Sequence, residues 1–279
     1  VIVFPNAKIN LGLRIIQKRL DGYHDLETVF YPIHVKDALE IIPLPPREKT
    51  SSFPFSLSGA EVRGRLTSNL CVRAYKLLKT DFPQLPKIKM HLHKIIPSGA
   101  GLGGGSTDAA FTLVLLNQMF GLGISQQKLM EYAVELGSDC PFFIINKPCY
   151  ATGRGDVLEE IRLDLSGYNL IIVNPGIHID TGIAFLHIIP GNTGPNLKEI
   201  ITLPVEQWKD ELKNDFEKSI FLTYPEIAGI KRELYNKGAL FASMSGSGST
   251  LYGIFPPDIH PDISFPPHYF VKHLPGQLP

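Results

Sequence analysis

Residues 97–107 read Pro97-Ser98-Gly99-Ala100-Gly101-Leu102-Gly103-Gly104-Gly105-Ser106-Thr107, with five glycines in the seven positions from 99 to 105. Main chain without Cβ atoms lets its N–H groups approach a ligand closely, and a helix opening behind such a loop adds unpaired donors and about half a positive charge. The chemistry this suits is anion binding, above all phosphate. As a mere connector, so much glycine costs conformational entropy with nothing in return. The spacing Gly99, Gly101, Gly104 also satisfies G-x-G-x-x-G, which raises a dinucleotide dehydrogenase as a rival. Against it, the preceding strand alternates with Lys87, Lys89, His91 and His93, where that fold needs a strand buried on both faces, and no acid stands about 20 residues beyond the loop. A P-loop needs a G-K-[ST] lysine and a protein kinase needs H-R-D and D-F-G; none is present.

A second loop, Ser243-Met244-Ser245-Gly246-Ser247-Gly248-Ser249-Thr250, alternates hydroxyls with glycine and suits backbone pressed against phosphate or against the first loop. Lys8 and Asn10 fall on even positions between apolar odd ones, so they share one strand face. Asp139, in Gly137-Ser138-Asp139-Cys140-Pro141, is a carboxylate that either caps the segment beginning at Pro141 or does chemistry, and Lys8 is either a solvated strand residue or a catalytic cation. Tyr23 is either a hairpin aromatic or a stacking platform. His91 and His93 share a strand face, but without further ligands at suitable spacing they give no metal site.

The elements that must carry these groups are legible in part. Ala7, Ile9, Leu11, Leu13 and Ile15 alternate with Lys8, Asn10, Gly12 and Arg14, the period of a half-buried strand. Asp21-Gly22 then predicts a turn, with Tyr23 and His24 at its bend, before a second strand over 27–33. Lys87 to Lys94 alternates again, with Ile88, Met90 and Leu92 inward. Behind the glycine loop, Ala109, Ala110, Leu113, Val114 and Leu116 recur at helical spacing from Ser106 as N-cap. A further helix is expected over 125–136, ended by Gly137, before the apolar run 142–145. The Gly-Arg-Gly turn within 152–156 is expected to mark the passage between an N-terminal domain, 1–155, and a C-terminal domain, 156–279. Seven prolines between Pro256 and Pro279 argue against a long terminal helix and for loops with at most one short strand, over 268–272.

Of the 279 residues, 44% are apolar and 19% charged, with equal numbers of acids and bases; this is a globular composition with no field for nucleic acid or anionic lipid. Ala109 to Ile124 is the longest apolar-rich stretch, and Thr112, Asn117, Gln118 and two glycines break it well short of the roughly 18 residues of a membrane span. No signal-peptide pattern opens the sequence, and three cysteines without C-x-x-C spacing read as free thiols, so a cytoplasmic protein is expected.

Three segments in fixed order, Ala7-Lys8-Ile9-Asn10-Leu11, the loop 97–107 continued by Asp108-Ala109-Ala110, and Met244 to Ser249, resemble the three motifs of the GHMP small-molecule kinases. The resemblance runs to about Phe255. It implies a two-domain α+β fold around a cleft, ATP on the glycine loop, and magnesium with it, for which Ser106 is the nearest protein hydroxyl and Asp108 a less clear candidate that could serve the helix instead. Gly22-Tyr23-His24 and Gly137 to Pro141 narrow the resemblance to members that phosphorylate the 2-hydroxyl of CDP-methylerythritol in the non-mevalonate isoprenoid route. That likeness implies Asp139 as general base, Lys8 as its cationic partner, Tyr23 and Phe185 as rings about the cytosine, His24 on its edge, and Thr181 and Asn10 on the alcohol. A monomer or weak homodimer is expected. A kinase for homoserine or mevalonate, or a nucleotide-binding regulator without transfer activity, are the alternatives. Asn6 departs from the proline common in the family beside Ala7-Lys8, which bears on the start of the strand.

Overall fold

The computed structural model describes residues 1–45, 53–62, 64–186, 188, 190, 191 and 194–276; the last of the terminal prolines, Pro279, lies outside them. In chain order the strands are β1 (Ile2–Val3), β2 (Asn6–Lys18), β3 (His24–Lys36), β4 (Ala38–Pro43), β5 (Phe55–Gly59), β6 (Ile88–Lys94), β7 (Cys149–Thr152), β8 (Val157–Glu160), β9 (Asn169–Asn174), β10 (Phe241–Met244), β11 (Leu251–Phe255) and β12 (Phe270–Leu274). The α-helices are α1 (Leu70–Asp81), α2 (Gly104–Phe120), α3 (Gln126–Leu136), α4 (Cys140–Ile145), α5 (Thr181–Leu186), α6 (Leu197–Ile200), α7 (Trp208–Glu211), α8 (Phe216–Thr223) and α9 (Pro225–Asn236). The fold is α+β.

Two compact units result, and neither is contiguous in sequence: one holds residues 1–7, 35–98 and 103–146, the other 8–34, 99–102 and 147–279. In the first, a sheet ordered β1-β4-β6-β5 is antiparallel except for β5 beside β6, with Phe55 opposite Met90. Its inner face, Leu39, Ile41, Ile88, Met90 and Leu92, packs against Ala74 and Leu78 of α1, Leu113 and Leu116 of α2, and Ala133 and Leu136 of α3. The alternation expected over 87–94 holds: the apolar residues are buried, while Lys89 and His93 are exposed.

The second unit contains the sheet β10-β11-β9-β12, antiparallel throughout, covered by Phe216 and Ile220 of α8 and Ile227, Ile230 and Leu234 of α9. The proline-rich end supplies β12, two residues beyond the expected range, because Val271 pairs with Val173 of β9. The third sheet is ordered β2-β3-β7-β8. Its β2–β3 hairpin closes as Asp21-Gly22 predicts, with Gly22 at φ +86° and the Arg19 N–H donating to the Tyr23 carbonyl at 2.8 Å. The Gly-Arg-Gly turn closes a second hairpin, β7–β8, with Ala151 opposite Leu158, so residues 155 and 156 lie together within one unit.

Two local expectations fail for identifiable reasons. β2 is buried on both faces from Asn6 to Ile15, because its polar side is satisfied by protein partners rather than by water. Ser106 is not the cap of α2. The helix starts three residues earlier, from Gly103 as its N-cap, whose φ of +71° only glycine takes without strain, and no side chain caps it. Among the described residues no helix is long and apolar enough to cross a membrane, and all three cysteines are buried free thiols.

Candidate active site

In the second unit, β2 brings Lys8 and Asn10 to one side of the strand, two residues apart. The Lys8 ammonium donates to Asn10 Oδ1 at 2.6 Å and to the Gly101 carbonyl at 3.1 Å, and it lies 4.9 Å from the Phe30 ring centroid. Asn10 in turn donates from Nδ2 to Thr28 Oγ1 at 3.0 Å, and its N–H donates to Ser245 Oγ at 3.1 Å. Ser245 closes the circuit by donating to the Gly101 carbonyl at 2.8 Å. One buried network therefore ties the β2 lysine, the glycine loop and the second loop together. Lys8 is not a solvated strand residue; only 3% of it is exposed.

The second loop is a strut rather than a flexible turn. From Ser243 to Thr250 only Ser247 is not buried. Asn214 donates to the carbonyls of Met244 and Gly246 at 2.7 and 2.8 Å, and Asn174 donates to Ser249 Oγ and Thr250 Oγ1 at 3.2 and 3.0 Å. Neither asparagine stands out in the sequence; an isolated buried amide carries no periodic signal. Asn214→Ala would leave two carbonyls and the Phe216 N–H without their partner. It should lower unfolding free energy by about 2–4 kcal/mol, read from denaturant titration against wild type.

At the β2–β3 tip, His24 stacks on Phe185 with centroids 4.6 Å apart and planes 14° from parallel, and Phe185 meets Phe216 edge-on. Tyr23 is exposed, with the Arg154 guanidinium 5.1 Å from its ring centroid. His24 and Phe185 are thus brought together, while Tyr23 pairs with an arginine that the sequence reading did not single out. Burial, and secondarily the charge of Lys18, holds the His24 imidazole below its ordinary pKa, so the ring is neutral at pH 7. Thr181 shares a hydrogen bond with Ser247 at 3.1 Å.

The first unit supplies the helix behind the loop and the candidate base. The first N–H groups of α2 have no intrahelical acceptor, and Gly103 brings no side chain to them, so a bound anion can take them. Pro97 and Ser98 precede, at the end of the turn from β6, and Gly104, Gly105, Ser106 and Thr107 form the first helical turn. Asp139 stands at the start of α4, where its side chain makes no capping hydrogen bond, which removes the capping reading. The next residue, Cys140, is no rival nucleophile: burial pushes its thiol up to about 12. Asn6 explains its own departure from proline by exchanging two amide hydrogen bonds, 3.1 and 2.8 Å, with Asn146, which ends α4. Asp108 is 2% exposed and bound to Lys94, as a structural residue would be, and burial pushes its carboxyl up to about 8 against the opposing charge of Lys94. Among the described residues no three His, Cys, Asp or Glu side chains could hold a metal ion.

The GHMP kinases N terminal domain family matches residues 69–147, and the GHMP kinases C terminal family matches residues 196–262. A Bacteroides fragilis protein named 4-diphosphocytidyl-2-C-methyl-D-erythritol kinase is 54% identical over 92% of this chain and 93% of its own length. A protein of the same name from Azobacteroides pseudotrichonymphae is 49% identical over 97% of this chain and all of its own. A crystal structure of 4-(cytidine 5'-diphospho)-2C-methyl-D-erythritol kinase superposes with a TM-score of 0.79 at 28% identity, covering 99% of this chain and 100% of that one. With identity of this order running through both matched domains, the chain is a small-molecule kinase that uses ATP as phosphate donor, and it belongs to the 4-diphosphocytidyl-2-C-methyl-D-erythritol kinases of the GHMP family.

Proposed function

We propose that the chain phosphorylates the 2-hydroxyl of CDP-methylerythritol, in the non-mevalonate route to isoprenoid precursors, as a cytoplasmic monomer or weak homodimer. The observation that carries this reading is the pairing, in one chain, of an uncapped helix start behind the glycine loop with the stacked rings of His24 and Phe185. The first suits a triphosphate, and the second suits a base that must be stacked and read along one edge.

In this reading residues 97–107 hold the ATP phosphates through main-chain N–H groups. Asp139 takes the proton of the acceptor hydroxyl as its oxygen bonds to the γ-phosphorus, while the bond to the ADP oxygen breaks and ADP leaves. Lys8, held in place by Asn10 and Gly101, stabilises the negative charge of the transferring group. The amide of Asn10 has a second N–H, which binds a hydroxyl of the alcohol, as does Thr181. Magnesium would supply charge neutralisation on the phosphates, and the Ser106 hydroxyl would be the protein group to hold it, since such an ion needs few protein ligands.

His24, neutral and stacked, reads the amino and carbonyl edge of cytosine. His24→Ala should therefore raise KM for the cytidine substrate about tenfold while leaving KM for ATP near wild type, since a lost base contact costs about 1–2 kcal/mol. An equal rise in both constants would place His24 elsewhere. The reading as a whole is tested by ADP release from purified protein with ATP and magnesium. Release is expected with CDP-methylerythritol and only background with mevalonate, homoserine or no acceptor; preference for either other alcohol would overturn the acceptor assignment.

A further inference from the structure

Beneath the glycine loop, and without part in the transfer chemistry, Asp37, Lys94 and Asp108 are buried together with side chains 0%, 2% and 3% exposed. They come from both sides of the loop. Asp37 Oδ1 accepts the N–H groups of Ile95 and Ile96 at 2.5 and 2.9 Å, the two residues before Pro97. Asp108 follows Thr107 directly. The Lys94 ammonium donates to Asp37 Oδ2 and, at 2.7 Å, to Asp108 Oδ2, so a single cation ties the segment that leads into the loop to the helix that leads out. A Cβ on Gly104 would lie 2.9 Å from Ile96 Cγ2 and 3.3 Å from Lys94 Nζ. The first turn of α2 therefore rests on the lysine and on the residue before the loop.

Stability alone is a poor reason for this arrangement. Two buried acid side chains and one ammonium lose more hydration on burial than apolar side chains of similar volume would, and Asp108 Oδ1 has no hydrogen-bond partner. What the triad does supply is a fixed separation between two backbone segments. An anion site made of main-chain N–H groups binds well only when their aim is set beforehand. We propose that Asp37, Lys94 and Asp108 are positioning residues that clasp the two ends of the ATP loop and hold its N–H groups in the geometry the phosphates require. The proposal rests on the assignment of ATP to that loop.

Three variants separate this from a structural role. Asp108→Asn keeps an oxygen for Lys94 and places its amide nitrogen where Oδ1 now has no partner, so KM for ATP stays within about threefold of wild type. Asp108→Ala cuts the tie. Asp37→Asn either turns an NH2 toward the ammonium or gives up the Ile95 and Ile96 bonds, and cuts it as well. Both should raise KM for ATP, and the Kd of a fluorescent ATP analogue, about tenfold or more, with KM for CDP-methylerythritol within about twofold. If the two cutting variants melt as folded proteins and bind ATP like wild type, or if both KM values rise together, the clasp is overturned while the loop assignment stands. Loss of fold in both variants also overturns it, in favour of a purely structural triad. A wild-type protein that does not bind the analogue overturns the loop assignment and the clasp with it.

Discussion

Asp139→Asn should lower kcat by about 10²- to 10⁴-fold while the Kd values for ATP and CDP-methylerythritol stay near wild type. The substitution conserves shape and removes the negative charge and with it the capacity to accept a proton. Asp139 gives α4 no capping hydrogen bond, and Pro141 in the first turn sets the start of that helix through its own fixed φ. Substitution of an N-terminal aspartate elsewhere would cost a cap; here it does not. Nor can a neighbour take over. The Cys140 thiol is held up to about 12 by burial, and Ser138 lacks the basicity to deprotonate an alcohol. Turnover is read by ADP release, and binding by titration calorimetry on the same preparation. Wild-type turnover in the variant would refute the base assignment, and loss of binding with turnover would mean that Asp139 holds substrate instead.

How much of this was legible beforehand depends on the range over which each residue acts. The β2 alternation, the Asp21-Gly22 turn, the half-buried β6 and the helix expected over 125–136 are set by neighbours a few residues away, and the sequence reading finds them, although Ser125 is the cap of that helix rather than its first residue. What it misses lies at long range. The polar side of β2 reads as a solvent face until Thr28 and Ser245 arrive to satisfy Asn10. Asn214 and Asn174 hold the second loop from segments with no motif at all. Asp37 looks like one more acid between two strands, although it bonds to residues 58 and 59 positions away. Ser106 reads as a cap for the opposite reason: a hydroxyl is the usual local answer, whereas the helix starts from a glycine with positive φ and no side-chain cap. The departures from local rules thus gather around the glycine loop, where in the proposed reading an anion rather than a side chain completes the hydrogen bonding.

Gly101→Ala should raise KM for ATP by at least about 100-fold and lower kcat as well, because the added methyl meets main chain that cannot yield. Gly101 has φ +80°, which alone costs an alanine about 1–2 kcal/mol, and an ideal Cβ there would sit 1.9 Å from the Ser245 carbonyl oxygen. That oxygen is held from several directions: the Ser245 N–H donates to the Thr250 carbonyl at 2.9 Å, and Asn214 binds the carbonyls on either side of it. The glycine loop must move instead. Its Gly101 carbonyl carries both the Lys8 ammonium and the Ser245 hydroxyl, so the displacement that relieves the clash also frees the cation from its seat. Nucleotide binding and transfer therefore fail together, unlike in Asp139→Asn. Gly105→Ala is the matched comparison, since its Cβ would meet only Leu70 Cδ1 at an ordinary 3.6 Å. That variant should melt like wild type, and any loss of ATP affinity in it reports the approach of the ligand rather than strain in the protein. Steady-state kinetics with ATP varied, beside thermal melts of both variants, decides the matter; a Gly101→Ala protein with wild-type KM for ATP would show that the triphosphate lies elsewhere.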